Sequence, residues 1–223
     1  MQPRKAVEFR RQTSPVRLIL VVVSLLFSAP LLAQALPQAA QAALRALSPA
    51  GTEPAVATSR TEDAARPTRV FAVVFPTEAT AQLVVLDRDD TGAYRPAARS
   101  RRFPYSAQAN YGASMEAIHS TATDRFAVEF SFRQGCARGS STHRFAFRSG
   151  QWVTVGLDRT SLKCTDDGVE QDWRSSENFL AGQREWTRYV KDKPVQSSRK
   201  PTSRRAFPIE AFPPSGPDYQ ELQ

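Results

Sequence analysis

The chain has 223 residues, 30 Lys+Arg against 22 Asp+Glu, 2 His, 2 Cys and a formal charge of +8. That length holds one ordinary domain with extensions or two small domains, and excludes a large multidomain enzyme. A hydrophobic fraction of 41% suffices for a core but is too low for a polytopic membrane protein.

The first 35 residues have the form of an export signal. Arg4, Lys5, Arg10, Arg11 and Arg17 make a basic leader with a single acid, Glu8. Leu18 to Phe27 is an apolar stretch, Pro30 follows, and Ala33-Gln34-Ala35 offers the small residues a signal peptidase requires. The apolar part, Leu18 to Ala33, would make a helix of about 24 Å, shorter than a hydrocarbon core of about 30 Å. Cleavage after Ala35 is expected, leaving no membrane span and a mature charge of +4. No cysteine lies near the cleavage point to carry a lipid anchor.

Residues 36–67 are Ala-rich and punctuated by Pro37, Pro49, Pro54 and Pro67. They read as a flexible leader, with a short helix conceivable over Gln38–Leu47, or as a spacer that reaches a partner.

A β-rich domain is expected over residues 68–192. Val70–Phe75 is an apolar run suited to a buried strand. Gln82–Asp87 and Tyr94–Arg99 form a hairpin around the turn residues Arg88–Gly92. Pro96 places the return strand at an edge or on a bulge. Ala113–Ser120 suits either a helical turn or two, or another strand. Phe126, Val128, Phe130 and Phe132 alternate with mostly polar residues, as do Phe145 with Phe147, and Val153, Val155 and Leu157. Three strands in an antiparallel meander account for these patterns, and Trp186–Val190 is a plausible last strand. The expected fold is mainly β: an antiparallel meander forming a small sandwich, curled sheet or partial barrel. Residues 193–223, rich in Pro, Ser and Arg, read as a disordered basic tail. Within it, Phe207–Phe212 is an apolar island that either docks on the domain or serves as a linear motif.

Cys136 and Cys164 lie just past the ends of the first and third meander strands, at one end of the sheet. Those strands are two spacings apart, about 9.6 Å, and the loop residues can close that gap. A disulfide closing a 29-residue loop is expected, in keeping with an oxidising compartment. A reactive thiol or half a metal site are the competing readings, but two Cys with two distant His give no zinc spacing.

No G-x-S-x-G, H-E-x-x-H, phosphate-loop or G-x-G-x-x-G motif occurs. His119 and His143 read as ordinary strand residues. Asp87–Gly92 resembles the first half of a calcium loop, but Ala98 stands where the bidentate Glu belongs, which favours a plain hairpin turn. Asp166, Asp167, Glu170 and Asp172 read as a solvated loop. No cofactor or metal is expected. Nucleic acid is not expected either, because residues 69–190 are nearly charge-balanced. The bases concentrate in Lys191, Lys193, Arg199, Lys200, Arg204 and Arg205. Such a segment serves solubility alone or, in an exported protein, weakly holds a wall polymer, a lipid headgroup or an acidic protein.

Leu83–Arg99, Phe126–Phe132, Arg144–Thr160 and Asn178-Phe179-Leu180-Ala181-Gly182 together resemble a family of small secreted proteobacterial proteins of unknown function. The resemblance covers about half of the chain. It implies a β-rich exported protein and, by fold analogy, an inhibitor or immunity role against wall hydrolases. The sequence therefore points to a periplasmic or secreted, non-enzymatic binding protein with a protein or cell-wall partner. Tyr105, Asn110, Tyr111 and Arg138 are its candidate contacts. An envelope enzyme and a structural envelope component are the alternatives.

Overall fold

A computed structural model describes residues 36–49, 53–58, 68–104, 111–166 and 168–212. The elements in chain order are helix α1 (Gln38–Leu47), β1 (Ala55–Thr58), β2 (Arg69–Thr77), β3 (Thr80–Arg88), β4 (Tyr94–Arg99) and β5 (Phe103–Pro104). There follow β6 (Tyr111–Ala122), β7 (Arg125–Gln134), β8 (Ala137–Arg148), β9 (Gln151–Thr165), β10 (Gly168–Asn178), β11 (Gln183–Val190), β12 (Lys193–Pro201) and β13 (Phe207–Pro208). A 3-10 turn, Ile209–Ala211, comes last. The first five strands make a small antiparallel sheet in the order β1-β2-β3-β4, with β5 also on β3. The rest make an eight-stranded antiparallel sheet, an unbroken meander from β6 to β12 with β13 paired to β9. The sheets do not close into a barrel.

The apolar run of β2 is continuous because the strand is buried on both faces. Phe71, Val73 and Phe75 point into the main core, where Leu83, Val85 and Ala98 of the small sheet meet Phe126, Val128, Phe145 and Trp152 of the large one. Phe126 stacks between Phe71 and Phe145 with both centroid separations at 4.6 Å, and Trp152 meets Phe71 and Phe126 edge-on. Val70, Ala72 and Val74 point the other way, onto Ala40 and Leu44 of α1. The Ser48 hydroxyl just past the helix receives a hydrogen bond from the Phe75 backbone N–H at 3.1 Å, fastening α1 to β2. Arg69 ties the two sheets together. It pairs with Asp87 at 2.8 Å, donates to the Thr123 carbonyl and lies over the rings of Phe147 and Trp152.

The β3–β4 hairpin forms as expected, with a register shift beside Pro96 on a strand that ends the sheet. Ala113–Ser120 belongs to a strand, β6. Two boundaries need correction. The 36–67 segment is not simply a leader, since α1 covers one face of the small sheet and β1 pairs with β2. Nor does the domain stop at 192. Lys193–Pro201 is a strand, and Ile209 and Phe212 are almost wholly buried in the main core. The physical reason is the apolar island. Burying an Ile or Phe side chain is worth about 1.5–3 kcal/mol each, which offsets part of the entropy of ordering the segment that leads to it. Residues 1–35 and 213–223 lie outside the described residues.

Candidate binding surface

Cys136 and Cys164 are joined, with their Cα atoms 5.8 Å apart. The route differs from the expected one. Arg138 pairs with Leu162, and carrying that register two residues further sets Cys136 directly opposite Cys164. The bridge therefore staples neighbouring strands rather than reaching across a middle one.

The sequence-derived contacts are only partly brought together. Tyr105 and Asn110 lie outside the described residues. Tyr111 opens β6 opposite Gln134, and Gln134 is in turn opposite Ala137, next to the exposed Arg138. Tyr111 and Arg138 thus share the disulfide end of the large sheet, with β7 between their strands.

The turn acids are engaged internally. Asp89 accepts hydrogen bonds from the Thr91 and Ala93 backbone N–H groups and the Thr91 hydroxyl, and pairs with Arg95. The Thr91 hydroxyl is the main reason its carboxyl is held below the usual range. Asp87 is taken by Arg69. Among the described residues, no group of three or more His, Cys, Asp and Glu could hold a metal ion. Asn178 makes the β10–β11 turn, its side-chain oxygen accepting from the Leu180 and Ala181 N–H groups, before Gly182 at φ +63°.

His143 sits in the core between Phe130 and Phe212, with ring centroids 5.8 and 4.9 Å away. Burial, reinforced by the charges of Arg159 and Arg204, pushes its pKa down to about 3. A neutral imidazole walled in by rings has no path to a substrate proton.

Those two arginines converge on one buried carboxylate. Glu177 Oε1 accepts from Arg204 Nη1 at 2.7 Å and from Arg159 Nη2 at 3.3 Å, and Oε2 accepts from the Thr202 hydroxyl at 2.9 Å. Glu177 is 1% exposed. The cluster pins the returning chain, Thr202 to Arg204, onto the root of β10. On the opposite face Arg144 lies across Gly156 to reach the Glu177 carbonyl at 2.8 Å. A Cβ on Gly156 would stand 2.5 Å from the Arg144 guanidinium and 2.7 Å from that carbonyl.

Beyond this cluster the sheet runs on without a cover from the core. Neither hydrophobic cluster includes a residue of β10, β11 or β12. The register puts nine side chains of these strands on the face shared with Glu177. Trp173, Arg188 and Gln196 form one row, Ser175, Trp186 and Ser198 the next, and Glu177, Arg184 and Lys200 the third. Glu177 is already neutralised by its two arginines. Arg184, Arg188 and Lys200 make no ion pair or side-chain hydrogen bond among the described residues. The Arg184 Nε is buried without a hydrogen-bond partner. Arg184 stands directly opposite Lys200, a like-charge pairing that destabilises a sheet unless an anion compensates it. Trp186 is half-buried between two serines and has no ring or cation contact among the described residues. By contrast, the outward face of β11 and β12 is internally satisfied, with Arg199 paired to Glu185 and the Thr187 and Ser197 hydroxyls bonded.

Sequence reasoning missed this surface. The alternation Arg184-x-Trp186-x-Arg188 was a legible signal. Its partner strand, β12, was hidden in a segment whose prolines read as disorder. No helix among the described residues is long and apolar enough to cross a membrane. No protein-family model, curated protein or solved structure matches the chain.

Proposed function

We propose that the chain is an exported, non-enzymatic binding protein of the cell envelope that docks an anionic partner on the shared face of β10, β11 and β12. The observation that carries this reading is the set of uncompensated cations there, Arg184, Arg188 and Lys200, around the half-buried Trp186. Unpaired guanidinium and ammonium groups beside an indole recognise anions and stack on rings. A disulfide between Cys136 and Cys164 accords with an oxidising compartment. The non-enzymatic part of the reading is supported by His143, which is enclosed, and by Glu177, which is fully engaged. A wall-hydrolase inhibitor is the narrower form of the same proposal, with Tyr111 and Arg138 as further contacts at the disulfide end.

Co-sedimentation with purified cell envelopes tests this. The native chain is expected to sediment with envelopes at low salt and to be released as salt screens the contact. Turnover of wall fragments by the chain alone would overturn the non-enzymatic reading. Loss of a wall hydrolase's activity on adding the chain is the result expected of the inhibitor.

A further inference from the structure

The geometry points to an acidic glycan, a chain of sugar rings carrying carboxylates, as the ligand of the β10–β12 face. This rests on the proposed binding role of that face and names its ligand class. Trp186 is flanked on both neighbouring strands by serines, the buried Ser175 and the half-buried Ser198, and its own ring is half-buried. Along its own strand the next residues on the same face are Arg184 and Arg188, each two positions and about 7 Å away. Lys200 lies directly across from Arg184. A pyranose has an apolar C–H face and a polar rim. One ring can lie on the indole while rim carboxylates of that sugar or its neighbours meet the flanking cations. On the β12 side the half-buried Ser198 sets a small hydroxyl beside the indole, where a sugar hydroxyl can meet it.

An acidic peptide fits less well. An extended peptide would add to an end strand of the sheet, and the end strand beside this face is β12. That edge is defended by a register shift at Val195, by Pro194 and Pro201 near or at its ends, and by Lys193, Arg199 and Lys200 along it. The cations of the face itself stand around the indole, Arg184 and Arg188 beside it on β11 and Lys200 across from Arg184 on β12.

The test is a fluorescence titration of the full exported chain with polygalacturonate, a carboxylated glycan. Neutral dextran, polyglutamate and an oligothymidylate serve as comparison probes. Polygalacturonate is expected to bind and to shift tryptophan emission, with dextran inert and the other two polyanions at least about tenfold weaker. Trp186→Ala and the triple variant R184Q/R188Q/K200Q should each weaken polygalacturonate binding by about tenfold or more. The charge-matched outward-face variant R148Q/R174Q/R199Q should stay within about twofold and controls for folding and net charge. Polyglutamate or oligothymidylate binding as tightly as polygalacturonate would overturn the glycan assignment, as would an unchanged affinity in Trp186→Ala. If the inner triple variant abolished that polyglutamate binding, the surface would stand and only its ligand class would fall. Polygalacturonate bound equally by the native chain and the inner triple variant would overturn both.

Discussion

His143 makes the stability of this protein sensitive to mild acid, with a magnitude that follows from where the residue sits. In the unfolded chain its imidazole takes up a proton near pH 6.5. In the folded chain burial, with Arg159 and Arg204 nearby, defers that to about pH 3. Below pH 6.5 the unfolded state therefore binds more protons, and stability falls as the pH drops toward 3. Between pH 7.5 and 4.5 the gap spans about two pH units, or about 2.5–3 kcal/mol from this one group. His143→Phe keeps a ring against Phe130 and Phe212 and removes the titration. Urea denaturation of both proteins at the two pH values gives the comparison, since titrating groups common to both cancel. The native protein should lose about 2–3 kcal/mol more than His143→Phe on acidification. Equal losses, within about 0.5 kcal/mol, would refute the placement of a neutral histidine in the core.

Further outcomes follow from the same packing. Replacing both cysteines by serine should cost about 3–4 kcal/mol, the chain-entropy value for a 29-residue loop, measured by urea denaturation. Glu177→Gln removes the buried carboxylate that Arg159 and Arg204 share and should cost about 3–5 kcal/mol at neutral pH, again by denaturation. Phe212→Ala should cost about 3–5 kcal/mol by calorimetry, whereas a residue in a disordered tail would cost close to nothing.

How much of this was legible in the sequence depends on the range of the interaction. Strand signals are local, so the β7–β9 meander could be read from alternation and the β3–β4 hairpin from its turn residues. The helix could be read at Gln38–Leu47, but not its role, because the apolar stripe of α1 acquires a partner only when β2 presents Val70, Ala72 and Val74. The C-terminal segment misled for a related reason. Pro194 and Pro201 sit near or at the ends of β12, where they cost no interior ladder bonds, and Ile209 and Phe212 anchor the segment by packing into a core built from residues far from them in sequence. The cysteine pairing was inferable from the ends of the meander, although the bridge follows the β8–β9 register directly. The candidate surface was the least legible part. It exists only where β10, β11 and β12 align, and Arg184 gains its uncompensated neighbour Lys200 through a pairing no local pattern encodes.

Amide hydrogen exchange with and without purified envelope material tests the central claim most directly, because it locates the contact without assuming its chemistry. The account predicts slowed exchange concentrated in residues 173–200, across β10, β11 and β12. Slowed exchange at residues 105–111 and around Arg138, with residues 183–200 unchanged, would contradict it and return the contact to the disulfide end of the sheet.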